Sequence, residues 1–338
     1  TAIKEQGRSE EVKFVYIGTV AETGDRMPPI HWGRVGDPIK PSMFDYYAVS
    51  KVAAERYVIE SGLKYWVSLR QTGIIGPAMS EIRDAIMFHN CYDNVLEYVS
   101  DRDSGVLLRN LSYQDATDTM EDGFWGHIYN IGGGEKCRVS TAEMFERLYG
   151  DIGIKDLYLI LKPKMQATRN FHGHYYLDSD KLELFVHFQR DSMEYYYDAY
   201  LKGLGATANV AKAMCKIPGG EKLMATVMGN MFNKLADGEH GTKYFIDNNL
   251  EDKIEAYWGS KKAWEKLPDS YNDFNHFFDW DKKIILDHGY DESKPESELD
   301  LEDMKGAAKF RGGECLSTEM TKGDWSTPLE FKCAFGHT

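Results

Sequence analysis

The chain is 338 residues long, 42% hydrophobic, 13% aromatic and 28% charged, a globular composition with enough apolar material for a sizeable core and enough length for two domains. Its formal net charge of −14 disfavours a phosphate backbone as partner, and no Lys/Arg cluster offers a local exception, so nucleic-acid binding is not expected. No apolar run approaches the roughly 18 residues of a membrane helix, and five Cys at irregular spacing suggest a reducing, cytoplasmic setting without a disulfide framework.

The opening residues read as the tail of a helix leading into residues 14–18 (FVYIG), an apolar run suited to a strand buried in a parallel sheet. The chain begins without Met and without a basic and apolar leader, and it closes without terminal-helix logic, so both ends read as cut. A loop rich in Gly and Pro spans 24–41. Residues 45–61 then carry helical spacing at Ala48, Val52, Glu55 and Ile59, and 65–69 (YWVSL) form a second strand-like run ended by Gly73 and Gly76-Pro77. Strand, helix, strand in succession is a βαβ unit, which predicts a parallel sheet. Residues 127–131 (HIYNI) predict a short strand before Gly132-Gly133-Gly134, and 140–149 a helix capped by Ser140 or Thr141. Residues 203–285 read as mostly helical, with turns at Pro218-Gly219-Gly220 and near 238–241 and many aromatics, Trp258, Trp264 and Trp280 among them. The acidic stretch 291–303 reads as a solvated linker.

The first chemical candidate is Tyr47-Ala48-Val49-Ser50-Lys51. Residues i and i+4 of a helix share a face with Cβ atoms about 6 Å apart, so the Lys51 ammonium favours the phenolate of Tyr47 and makes it a usable acid/base near neutral pH. A second Tyr-x-x-x-Lys, Tyr158 to Lys162, sits in an apolar run that reads as a strand, where the two would lie about 13 Å apart. Upstream of Tyr47, Thr19 ends the first strand just before a glycine-bearing turn, and downstream Arg70-Gln71-Thr72-Gly73-Ile74-Ile75-Gly76-Pro77 leaves the next strand. In an open parallel sheet such strand ends line the ligand crevice. His172 and His174 in FHGHYY, read as an aromatic strand, and Asp279 and His288 around Trp280, are expected to be packing residues.

Strand-end hydroxyl, Tyr-x-x-x-Lys helix and Arg-x-x-Gly-x-x-Gly-Pro, in that order, resemble the extended short-chain dehydrogenase/reductase family, the NAD-dependent sugar-nucleotide epimerases and dehydratases. Pro38 and Pro41 before the Tyr helix, Tyr129-Asn130-Ile131-Gly132-Gly133, and Asp178-Ser179-Asp180-Lys181-Leu182 are similar to further family segments. The resemblance covers about residues 1–200. It implies Tyr47 as the acid/base, Lys51 as its partner and a ligand of the nicotinamide ribose, Thr19 as the group orienting the substrate oxygen, and Thr72, Gly73 and Ile74 as contacts to the nicotinamide end. NAD or NADP would carry the hydride, the substrate would be a sugar nucleotide or related carbonyl or alcohol, and a homodimer is expected.

Two departures qualify this. The family's glycine-rich turn after its first strand has no counterpart here. Gly132-Gly133-Gly134 follows Tyr47 and lacks the acidic residue expected about 20 positions on, so the chain is expected to enter the family fold part-way and to bind dinucleotide weakly or not at all by itself. The Asp-Glu pair that family dehydratases carry after the Thr is Val20-Ala21 here, which favours epimerase or reductase chemistry. At the other end, residues 331–337 (FKCAFGH) are similar to the first half of a zinc-ribbon module. Cys333 and His337 would be ligands of a structural zinc in a longer protein, with Cys315 as a third donor, short of the four that tetrahedral zinc takes.

The sequence thus predicts an α/β chain with a partial Rossmann-like parallel sheet. Residues 1–200 would hold the sheet and substrate region, 201–290 an α-helical extension, 291–310 the acidic linker and 311–338 the start of a zinc-binding-like module. The competing expectation is a catalytically idle scaffold, with the helical and zinc segments as a protein- or RNA-binding attachment.

Overall fold

The apolar run at 14–18 is the centre of strand β1 (Lys13–Thr19), whose partner β2 (Tyr65–Gln71) runs parallel to it in the computed structural model. The structure describes residues 2–23, 30–81, 84–271, 281–324 and 327–338, without the side chains at 80, 81 and 122. It divides into two compact units, Thr1–Val35 with Ile39–Lys282, and Gly36–Pro38 with Lys283–Thr338.

The first unit opens with a short helix α1 (Ala2–Glu5), then β1, helix α2 (Tyr46–Ile59) and β2. A third strand, β6 (His127–Ile131), adds to β2, again parallel, so the sheet order is β1-β2-β6. Register pairs Thr19 with Gln71 and Gln71 with Ile131, which lines the three carboxyl ends up in one row. The short strands β3 (Ile74–Ile75) and β5 (Val99–Ser100) pair parallel, while β4 (Val95–Glu97) and β7 (Arg138–Ser140) pair antiparallel. An α/β fold around a parallel sheet is what the βαβ pattern predicted.

Helices α3 (Asp101–Ala116) and α5 (Ser179–Val186) bring Leu107, Leu111, Leu182 and Val186 against Val67, Leu69 and Ile131 of the sheet. Of the two caps the sequence offered, Ser140 is the one that caps α4 (Thr141–Asp151), through a capping box with Glu143. The helical region follows as α6 (Met193–Leu204), α7 (Ala206–Cys215), α8 (Gly220–Ala236), α9 (Thr242–Asp247), α10 (Glu251–Trp258) and α11 (Lys261–Glu265). Helices α4, α6, α7 and α8 share one core, built on residues such as Phe145, Tyr196 and Phe232. Phe245, Ile254 and Trp258 form another. The expected helical aromatics Phe274, Phe277, Phe278 and Trp280, with Asp279, lie outside the described residues.

Three local expectations change. Residues 157–159 form a 3₁₀ turn instead of a strand, because the Asp156 carboxylate caps the Tyr158 N–H and Pro163 interrupts the run. Lys162 therefore sits with its ammonium 5.9 Å from the Tyr158 ring centroid, far closer than strand geometry allows. FHGHYY is likewise not a strand. Asn170 takes a left-handed φ of 69°, and the segment carries isolated bridges in place of a ladder, one of them joining Gly33 to Tyr176. The buried helical positions of α2 are Ala48, Glu55 and Val58, while Ile59 is exposed.

The second unit holds α12 (Leu301–Phe310) and the antiparallel pair β8 (Glu314–Cys315) and β9 (Phe331–Lys332). Part of the span expected to be linker is thus helix. Its acidic residues start it: Asp300 and Asp303 form a capping box, and Lys294 donates to Asp303 at 2.7 and 3.0 Å. Among the described residues, no helix is long and apolar enough to cross a membrane.

Candidate active site

Helix α2 starts one residue before Tyr47 because the Asp45 carboxylate accepts the Ala48 N–H at 2.9 Å, the preferred use of Asp at a helix N-cap. Tyr47 therefore lies in the first turn and Lys51 one turn later on the same face. The Lys51 ammonium donates to the Ile17 carbonyl of β1 at 3.0 Å and stands 5.7 Å from the Tyr47 ring centroid and 5.2 Å from that of Tyr16. Tyr47 is 56% exposed, open to a ligand. The sequence-predicted pair is thus brought together, and its ammonium is tethered to the strand that carries Thr19.

Thr19 is buried at the carboxyl end of β1. Its hydroxyl oxygen accepts the Ala21 N–H at 3.2 Å, and its own N–H donates to Glu22 Oε1 at 3.3 Å. These two bonds open the 3₁₀ turn Val20–Thr23, the Thr19 hydroxyl holding the backbone two residues on and Glu22 reaching back to Thr19. The oxygen already accepts one bond, so it has its proton and a second lone pair to offer a substrate.

The three residues expected at the nicotinamide end differ from one another. Thr72 is buried and donates its hydroxyl to the Glu97 carbonyl at 2.7 Å, so its side chain is committed to the fold. Gly73 lies against Tyr98, where a Cβ would come within 2.9 Å of the ring. Ile74 is 44% exposed. Gly132 and Gly133 are packing glycines: a Cβ on Gly132 would strike the Glu97 carboxylate, and one on Gly133 would lie 2.5 Å from the Tyr98 carbonyl oxygen. That packing fits the reading that this run is no phosphate cradle.

Beneath Thr19 lies a buried cluster that the sequence reading missed. Arg70 of β2 forks onto Glu55 of α2, with Nη2 to Oε1 at 2.6 Å and Nε to Oε2 at 3.0 Å, and Ser68 donates to Glu55 Oε2 at 2.6 Å. Glu22 Oε2 is 3.8 Å from the Arg70 Nε and has no hydrogen-bond donor among the described residues. Burial pushes the Glu22 carboxyl up to about 7, the Glu55 charge adding to that and Arg70 opposing it. Burial works the same way on Glu55, but there the Arg70 hydrogen bonds and charge win, and Glu55 stays below the usual range. Burial also pushes the Tyr16 phenol up to about 12, with help from Glu22 and Glu55. Thr19-x-x-Glu22 is a capping-box signature, the local signal by which Glu22 could have been found.

In the second unit Cys333 and His337 meet only through the backbone: the Cys333 N–H donates to the His337 carbonyl at 2.8 Å, and the Gly336 N–H to the Cys333 carbonyl at 2.9 Å. Backbone N–H groups around the thiol, that of Phe335 foremost, lower its pKa. Cys315 lies in β8, paired with Phe331. Among the described residues no group of three or more His, Cys, Asp or Glu could hold a metal ion, so the expected zinc ligands do not assemble into a site. His174 is buried with its Nδ1 3.0 Å from the His31 carbonyl, and His288 contacts Asp37, both in packing roles.

No protein-family model and no curated protein sequence matches the chain. Solved structures similar to it include a dTDP-glucose 4,6-dehydratase from Bacillus anthracis in complex with NAD, 16% identical over 62% of this chain and 65% of that one, with a TM-score of 0.45. They also include a UDP-glucuronic acid 4-epimerase from Bacillus cereus in complex with UDP-glucuronic acid and NAD, 17% identical over 57% and 62%, with a TM-score of 0.39. A third is a UDP-glucose 4-epimerase from Bifidobacterium longum in complex with NAD⁺ and UDP, 15% identical over 62% and 67%, with a TM-score of 0.41. The chain spans less than two thirds of the length of the first two.

Proposed function

We propose that this chain carries the acid/base side of an NAD(P)-dependent epimerase or reductase of the extended short-chain dehydrogenase/reductase type, acting on a sugar nucleotide or a related carbonyl or alcohol. The observation that carries the reading is the Lys51 ammonium, anchored 3.0 Å from the Ile17 carbonyl and 5.7 Å from the Tyr47 ring, beside the strand that ends in Thr19. Tyr47 exchanges a proton with the substrate oxygen. Lys51 keeps its ammonium in range of that ring while its tether to the Ile17 carbonyl fixes it beside β1. Thr19 orients the substrate oxygen from the strand end.

A nicotinamide dinucleotide, when bound, supplies the hydride. Lys51 and Tyr47 are the residues that would meet its ribose, and the exposed Ile74 the one that would meet its nicotinamide end. Val20 and Ala21 after Thr19 leave no acid/base pair there for water elimination, which favours epimerase or reductase over dehydratase. The resemblance also implies a homodimer, which light scattering at two protein concentrations tests.

The deciding experiment is turnover of the complete protein with and without Tyr47→Phe, alongside fluorescence titration of the 338-residue chain with NADH and NADPH. Loss of turnover in the variant supports the reading. Unchanged turnover overturns it and leaves the idle scaffold.

A further inference from the structure

Two carboxylates and one guanidinium are buried together under the carboxyl end of β1, and only one of the carboxylates is matched to the cation. Arg70 presents its fork to Glu55, and Glu22 is left 3.8 Å from the Nε with Oε2 lacking a donor among the described residues. A second buried negative charge there would face Glu55 with only the Arg70 cation, already bonded to Glu55, to balance both, and burying an underpaired charge is costly. A proton on Glu22 removes that charge and turns the Glu22–Glu55 contact into a hydrogen bond.

We propose that Glu22 is a positioning residue of this site: a carboxylic acid that shares its proton with Glu55 and holds Thr19 in place by accepting its N–H. Its catalytic consequence rests on the reading of Thr19 as the group that orients the substrate oxygen, whereas the proton and the bond from Thr19 stand without it.

The groups facing Glu22 come from every neighbouring element. β1 supplies the Tyr16 phenol and the Thr19 N–H, α2 supplies Glu55, and β2 supplies Arg70, with Ser68 on the far side of Glu55. The Lys40 N–H donates to the Glu22 carbonyl at 2.9 Å, and the Lys51 ammonium lies over the Tyr16 ring. Among the described residues, Arg70 is the cation that approaches Glu22, and it already serves Glu55. The elevated proton affinity of Glu22, near 7, agrees with this geometry. Its folded value lies above the unfolded value of about 4.3, so its contribution to stability is fully present below that pH and is lost as pH rises through about 7.

Four measurements test the proposal. Difference infrared spectra of the wild-type chain should show a buried carboxylic-acid C=O stretch at pH 6 that fades by pH 8.5. Hydrogen exchange over residues 19–22, corrected for intrinsic rates, should show protection falling over the same interval. In Glu22→Gln, whose amide accepts from Thr19 and donates to Glu55 whatever the pH, the protection should not change with pH, and the fall in Tm between pH 6 and 8.5 should be smaller than in wild type. In the complete protein, the variant should lose the alkaline limb of the kcat profile. The infrared and exchange data need no substrate, so they fail or succeed independently of the enzyme assignment. Absence of the acid stretch in wild type, or an exchange profile over 19–22 with the same pH dependence in both proteins, overturns the proposal. The infrared arm stands even if the variant does not fold.

Discussion

Tyr47 and Lys51 were legible in the sequence because their relation is local: four residues on one helix fix the phenol and the ammonium on the same face. What the sequence could not show is that the ammonium is tied to the Ile17 carbonyl of β1, a partner that arrives only with the sheet. The buried cluster is the opposite case. Glu22, Glu55 and Arg70 lie on a turn, a helix and a strand, and no spacing links them. Removing the tyrosine hydroxyl should lower kcat of the complete protein by at least about 100-fold, the usual scale of general acid/base catalysis, with little change in Tm, because the side chain is more than half exposed. Arg70→Met should leave two buried carboxylates without a cation. Urea unfolding should show a loss of about 3–5 kcal/mol at pH 8. The loss should be smaller at pH 5, where the carboxyls can take up protons. An equal loss at both pH values would refute the charge argument.

The elements that carry the site were read correctly where one signal dominated: the apolar runs of β1, β2 and β6, and the helix α4 behind its Ser-Thr start. Misreadings arose where a single residue outweighs a run. Asp156 and Pro163 turn an apolar stretch into a 3₁₀ turn, and Asp300 with Asp303 turns an acidic stretch into the start of α12. The role of an individual glycine also depends on what packs around it. Gly105 lies inside α3 with nothing within 4 Å of where its Cβ would be, whereas Gly133 faces the Tyr98 backbone at 2.5 Å. Gly105→Ala should therefore raise stability by about 0.5–1 kcal/mol in urea melts. Gly133→Ala should lower it, because a backbone carbonyl cannot move aside as a flexible side chain can. If both changes proved neutral, the packing role assigned to Gly133 would be wrong.

At the scale of the whole molecule, the sequence suggested a division near residue 290, while the structure divides the chain at Lys282 and assigns Gly36–Pro38 to the later unit. No periodicity could reveal this, because it depends on contacts across the sequence: His288 Nε2 meets the Asp37 carboxylate at 2.8 Å, and Arg311 Nη2 donates to the Gly36 carbonyl at 2.8 Å. The zinc expected from Cys333 and His337 finds no ligand set among the described residues. Exhaustive chelation should accordingly leave the melting curve of this chain unchanged, and a drop in Tm would restore the metal.

The Asp37–His288 pair joins residues 251 positions apart. At the usual synthesis rate of about 5–20 residues per second, Asp37 leaves the ribosome about 10 to 50 s before its partner exists. The first unit can begin to fold in that interval, but the second unit is missing both its long segment and the contacts that hold residues 36–38. Its assembly is therefore a late event, one that waits on the synthesis of residues 283 onward.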